Sequence, residues 1–369
     1  RRHTRYGTVT GVQTCALPIS ALETRREFLA EIEEATRRPT TAFAIRYEDH
    51  ALALLPHLAL IKSAAHAFRH RAAAQLAAGD RSGALRDIGT IHRLARAAGS
   101  DPTLIGMLVH GAVETLAMDA AWQGWRVGAW GEPECKALQE MFSEADLRPV
   151  AVRAFRSERL FGSSLIEFLA KNPDKYFEIL GNPVPGDDTS LAGRAISLMP
   201  IGWLRQNQAR HARHLDAIVE MLQRAPRGLA LMPDAAPRLP VEDVSGPVVY
   251  RMVCRELIPA LSTAASKIDR VEVLLLLARV AFALERHRLA TGRWPANLAD
   301  LVPGQLASIP IDPMDGQPLR YKPGTNGTCL LYSVGPDGRD DGGSGTMHAK
   351  PPADCTWRTS KVARETRAQ

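Results

Sequence analysis

The sequence predicts a mainly α-helical protein. An irregular helical domain covers residues 20–224, a proline-rich linker covers 225–247, and a small α+β module of one long helix plus a short antiparallel sheet covers 248–358. Three observations carry this. Apolar residues recur at helical spacing through most of 20–224, in segments ended by Gly, Pro or Asp. Lys267 to Leu289 is apolar on most of its circumference. After Gly292 the pattern changes to short alternating segments punctuated by Pro and Gly.

Residues 1–19 stand outside the fold. They back-translate into a common short-read sequencing adapter, with Tyr6-Gly7-Thr8 where its index bases fall, and Ser20 shares the adapter's last base. Cys15 is then no protein cysteine. Without Arg1, Arg2 and Arg5 the net charge of +6 falls to +3. Any signal or anchor is expected upstream of this start.

In chain order, Ala21 to Arg37 reads as helix, with Phe28, Leu29 and Ile32 on one face, and Pro39 ends it. Helix resumes over Ala51 to Arg71, with Pro56 near its start. Residues 72–98 read as two antiparallel helices joined at Gly79-Asp80, with small residues at their contact. Thr103 to Trp122 is a further helix, with Asp101 as its cap and Pro102 at its first position. Helices follow over Glu132 to Leu147, Arg148 to Leu169 and Gly193 to Arg224. The linker holds five prolines between residues 225 and 247.

In the module, Glu272, Arg279 and Arg286 give the long helix one polar stripe, so its other faces need packing. It is too short and too charged to span a bilayer. Gly292 fits a left-handed cap and Pro295 forbids continuation. Three prolines between Pro310 and Pro318 enforce an extended crossing. Leu319-Arg320-Tyr321 and Cys329 to Val334 alternate as paired strands around Gly324-Thr325-Asn326-Gly327. An Asp/Gly loop begins at Gly335-Pro336-Asp337-Gly338 and continues through Arg339 to Gly343. The tail, 359–369, is charged and reads as frayed.

Two resemblances attach to these elements. The Gly79-Asp80 hairpin resembles a tetratricopeptide hairpin, although three repeats in register are not found. The ordered set His287, Arg288, Gly292, Trp294, Pro295, Leu298, Leu301, Val302, Pro303, Pro310, Asp312, Pro313, Gly316, Pro318, Leu319, Tyr321, Tyr332, Ser333, Gly335, Asp337 and Gly338, closed by Asp354 and Trp357, resembles the periplasmic domain of the major pseudopilin of type II secretion. It covers about a quarter to a third of the chain. In that family the domain follows directly on an apolar N-terminal helix; here more than two hundred residues precede it, so the domain is read as a reused module.

The resemblance implies a structural or interaction protein of the bacterial cell envelope, without enzymatic activity. It would work through protein partners there, and would meet the membrane only through an upstream anchor. It also implies calcium in the last loop, with Ser333, Asp337, Asp340, Asp341 and Asp354 as oxygen donors. Hard oxygen ligands on a Gly-rich loop suit that ion, although Asp and Gly also gather in turns for local reasons. Two other readings stand beside this one: a helical-repeat adaptor binding a peptide in a groove of residues 51–224, and a hydrolase of unrecognised type.

The remaining candidates have bland readings. His66 and His70, and His211 and His214, share helix faces at spacings zinc can use, but flanking basic residues favour solvated faces. Trp122, Trp125 and Trp130 would floor a groove or pack between helices. Tyr47-Glu48-Asp49-His50 offers acid and base groups without a nucleophile and reads as a polar loop. Cys135, Cys254, Cys329 and Cys355 lack metal spacing. A Cys329–Cys355 disulfide suits an oxidising compartment, and buried free thiols are the alternative. A charge near +3, with no basic stretch interleaved with aromatics, gives nucleic-acid binding no support.

Overall fold

The computed structural model describes residues 25–47, 53–172, 175, 200–224, 252–324, 327–335, 338–345 and 354–358; in 252–260 and at 262 only the backbone is described. The described chain is mainly helical with one small sheet. The helices are α1 (Arg26–Ala35), α2 (Pro56–Ala77), α3 (Arg81–Ser100), α4 (Leu104–Arg126), α5 (Glu132–Glu144), α6 (Arg148–Lys171), α7 (Ile201–Arg224) and α8 (Met252–Thr291). A 3₁₀ turn at Leu298–Leu301 leads to β1 (Arg320–Pro323), β2 (Cys329–Ser333) and β3 (Cys355–Arg358), an antiparallel sheet in the order β1-β2-β3. The adapter-like start, the linker, Asp337 and the tail lie outside the described residues.

The ends of the early helices follow local chemistry. Pro56 sits in the first turn of α2. Between α2 and α3, Gly79 takes φ +82°, and Asp80 accepts a hydrogen bond from Gly83 N at 2.8 Å. This is the predicted junction, although the helix before it starts at Pro56 and runs unbroken through Ala72. The cap of α4 differs from expectation. Thr103 Oγ1 accepts from Gly106 N at 2.9 Å, while Asp101 Oδ1 accepts from Thr103 N at 2.9 Å and Oδ2 lies 3.1 Å from His57 Nε2. Asp101 thus braces the capping residue and orders a histidine on another helix. On α1, Leu29 is buried but Phe28 is 61% exposed, because adjacent helical positions diverge by about 100°.

α2, α3 and α4 pack as successive antiparallel neighbours, α6 pairs with α7, and α8 lies against α4 and α5. α4 has the length and apolarity of a membrane span, yet 61% of its apolar window is buried and it carries buried His110, Glu114 and Asp119. Between α2 and α3 buried charge is paired too: Arg71 binds both oxygens of Asp87 at 2.8 and 2.6 Å.

The module's helix is longer than predicted, since α8 begins at Met252 and carries Pro259 within it. Its second half is almost wholly apolar and buried, from Val271 to Leu284. An aromatic cluster joins it to its neighbours. Trp125 on α4 meets Trp357 on β3 edge-on at 6.0 Å and Trp294 at 6.1 Å; Phe282 on α8 meets Trp357 at 6.3 Å and Phe142 on α5 at 6.2 Å. Trp125 Nε1 donates to Ala281 O at 3.1 Å, which satisfies the indole inside the core. One apolar core therefore runs from the early helices into the sheet.

α8 ends as its sequence requires: Gly292 takes φ +77° and its N–H donates to Arg288 O at 2.8 Å. Beyond it, Tyr321 OH donates to Pro295 O at 3.0 Å, and Trp294 Nε1 to Gly327 O at 2.9 Å. The two predicted strands pair in register, Tyr321 opposite Leu331. The third strand, Cys355–Arg358, was legible only as the Asp354/Trp357 resemblance. In it Cys355 stands opposite Ser333, four residues from Cys329 along β2, and both are buried thiols outside any disulfide. The geometry thus excludes the Cys329–Cys355 disulfide.

Candidate functional site

The acidic loop packs against the edge of the sheet. Ser333 Oγ donates to Asp312 Oδ1 at 2.8 Å, so its hydroxyl is turned to the Pro-rich crossing. Asp340 Oδ1 accepts from Tyr332 OH at 3.0 Å and from Gly342 N at 2.9 Å. Those contacts, the Gly342 amide first, hold its carboxyl below the usual range. Asp354 lies fully buried under the loop: Oδ2 accepts from Gly343 N at 2.7 Å, and Oδ1 has no hydrogen-bond partner. Burial pushes the Asp354 carboxyl up, the Gly343 and Asp341 amides pull it back in part, and the charges of Asp341 and Asp340 push it up again. Asp340, Asp341 and Asp354 are thus brought close enough to repel, while Ser333 is engaged elsewhere and Asp337 lies outside the described residues. Among the described residues no group of three or more His, Cys, Asp or Glu forms a ready metal cage.

The other sequence candidates separate. His66 is partly buried and held below its ordinary value, first by burial and then by Arg69, Lys62 and His70; His70 is exposed. His211 and His214 are not on a solvated face. They are 0% and 4% exposed, inside the α6–α7 contact. A Cβ on Gly162 would stand 2.0 Å from the His211 ring. Trp125 and Trp130 are buried and bonded within the core, Trp130 Nε1 to Ala121 O at 2.8 Å, so packing is their use; Trp122 is partly buried under Arg126. Tyr47 is 41% exposed, while Glu48, Asp49 and His50 lie outside the described residues.

Two hollows went unnoticed in the sequence. A groove of about 290 Å³ with mixed lining lies between Phe142 on α5, Leu275 and Leu276 on α8, and residues 306–311, with Glu272 and Arg279 on its walls. Glu272 Oε1 accepts from Leu147 N at 2.9 Å, which ties α8 to the start of α6. The second is a polar cavity of about 360 Å³ bounded by α3, α4, the α5–α6 connection and α6. Its lining includes His92, Arg96, His110, Glu144, Asp146 and Arg153. His92 Nδ1 donates to Glu114 at 2.9 and 3.0 Å from the two carboxylate oxygens, which fixes the tautomer and ring orientation. His110 is 5% exposed and its Nδ1 has no partner. Burial holds its pKa down at about 4, so the ring is neutral near pH 7.

Comparison with protein-family models, with curated proteins and with solved structures finds no match to this chain.

Proposed function

We propose that this protein is a non-enzymatic structural or interaction component of the bacterial cell envelope, its C-terminal module akin to the major pseudopilin of type II secretion. A calcium ion would stabilise the last loop. The observation that carries the reading is Asp354. Its carboxylate is buried, draws on the loop amides of Gly343 and Asp341, and keeps Oδ1 without a close partner, beneath a loop that brings two further carboxylates toward it. A buried charge of this kind is costly unless something compensates it. A divalent cation held by Asp354 and Asp341, with Asp340 adjacent, would do so with the hard oxygen donors calcium prefers. The envelope role itself follows from the resemblance in residues 287–357, and the partners would be envelope proteins.

A second reading has one feature in its favour. The α2–α3 hairpin, turned at Gly79-Asp80 with Ala72 and Ala84 buried, is tetratricopeptide-like, which suits a peptide-binding adaptor built on residues 51–224.

Because α8 packs into the helical region, the test uses the full chain. Its thermal unfolding is followed with calcium, with magnesium and with a chelator, in the native sequence and in Asp354→Asn and Asp341→Asn. A calcium-specific rise in Tm that both substitutions abolish supports the metal site. An unchanged Tm with calcium in the native chain removes the metal and leaves the module as a fold without that chemistry.

A further inference from the structure

We infer that the polar cavity between α3, α4 and α6 is a binding site for a small amphoteric molecule. One end of that ligand carries an oxyanion held by Arg96, Arg153 and the histidine floor. The other end carries an ammonium or hydroxyl donor facing Glu144 and Asp146.

The floor is made of His92, Gly99, His110 and Val150, all buried, and the rim of exposed Arg96, Arg153 and Glu144. A volume of about 360 Å³ is at the small end of the range for metabolite sites. Gly99 makes room for the floor, since a Cβ there would stand 2.2 Å from His110 Nδ1. Among the charges that act on His110, Glu114 is the largest and favours its protonation, while His92, Arg153 and Arg96 oppose it. Glu114 is buried and engaged by His92 Nδ1 at 2.9 Å, which leaves the two guanidinium groups as the cations at the mouth of the cavity.

The rim cations differ in restraint. Arg153 is anchored by Nη2 donating to Gly99 O at 2.8 Å, which fixes the guanidinium at the rim. Arg96 makes no hydrogen bond or ion pair with the described residues. A guanidinium fork of this kind matches carboxylate and phosphate geometry. The neutral His110 ring has one donor and one acceptor nitrogen, so it can donate a hydrogen bond to an oxyanion without adding charge. The stretch between α5 and α6 adds two carboxylates to the lining. Asp146 Oδ1 accepts from Arg148 N at 3.0 Å, and Glu144 ends α5 at the rim. A pure anion would meet repulsion there, whereas a ligand with a donor at its far end would not.

The test is calorimetric titration of the full chain, at low ionic strength, with O-phosphoethanolamine, inorganic phosphate and ethanolamine. Saturable binding is expected for the first two, about tenfold tighter for O-phosphoethanolamine, and none for ethanolamine. Arg96→Gln and Arg153→Gln should each weaken the two binding ligands about tenfold, the loss typical of one charged hydrogen bond. Glu144→Gln should remove only the advantage of O-phosphoethanolamine. Arg96 is exposed and makes no hydrogen bond among the described residues, so its substitution probes the site without disturbing the fold they form. Absence of saturable binding by both phosphates, or binding unchanged in Arg96→Gln and Arg153→Gln, overturns the site. Equal affinity for phosphate and O-phosphoethanolamine overturns the amphoteric assignment.

Discussion

Ser333 and Asp312 are 21 residues apart and meet at the buried root of the module, the serine hydroxyl donating to Asp312 Oδ1 at 2.8 Å. Asp312 also accepts from Met314 N and Val334 N, each at 3.0 Å, and from Arg320 at 3.3 Å. One carboxylate thereby ties the Pro-rich crossing to β1 and to the end of β2. Truncating it leaves several buried donors without acceptors. Asp312→Ala is expected to destabilise the protein by about 3–5 kcal/mol, and Ser333→Ala by about 1 kcal/mol, in chemical unfolding. Equal small losses for both would mean that Asp312 does not organise this corner.

That corner also shows what could be read in advance. Gly292, Pro295, the strands and the Gly79-Asp80 junction were legible because each depends on a backbone conformation that only a few residues allow. The cap of α4 was misplaced by two residues because Asp101 and Thr103 are both good capping residues, and the choice between them depends on His57, which lies 44 residues away. His211 and His214 looked solvated because Arg210 and Arg213 flank them. Flanking residues on a helix point about 100° away and say little about the face a residue occupies. The polar cavity was not legible as a motif, since its walls come from four separate stretches. Its signal was subtler: His92 on α3 and His110 and Glu114 on α4 occupy apolar-face positions, where an unexplained polar residue asks for a partner.

The close approach of Gly162 to His211 makes a direct test of the α6–α7 contact. Gly162→Ala would place a methyl group 2.0 Å from the ring and force the two helices or the imidazole to shift. The expected cost is about 1–3 kcal/mol, as for other overpacked cores. In His211→Ala the methyl has room, so the second substitution should be nearly neutral in that background. A double-mutant cycle in urea unfolding gives the coupling. An additive result would show that the ring and Gly162 are not in contact.

Trp125 and Trp357 occupy one cluster but differ in their polar atom. Trp125 Nε1 donates to Ala281 O, while Trp357 Nε1 is buried without a partner. Replacing Trp125 by Phe removes the hydrogen bond to Ala281 O and leaves a smaller ring, while the carbonyl keeps its helical partner. Replacing Trp357 by Phe removes an unsatisfied donor, which offsets part of the lost packing. Trp125→Phe should therefore cost about 1 kcal/mol more than Trp357→Phe in equilibrium unfolding. The reverse order would place the unpaired indole elsewhere.

The histidines give the fold a predictable acid sensitivity. Burial lowers His211 and His110 from an ordinary 6.5 to about 4. The unfolded chain therefore binds protons that the folded chain refuses, and stability falls as pH drops from 6.5 toward 4. Each ring can withdraw up to about 3 kcal/mol across that window. Burial raises Asp312 and Asp354 instead, which has the opposite sign: their folded forms hold protons more tightly, so their contribution falls as pH rises. The net slope mixes both, and the difference between variants isolates the histidine. His211→Leu, which fills the same apolar contact without a titrating group, should flatten the loss of Tm between pH 6.5 and 4 relative to the native chain. An unchanged slope would mean that the ring reaches water and titrates normally.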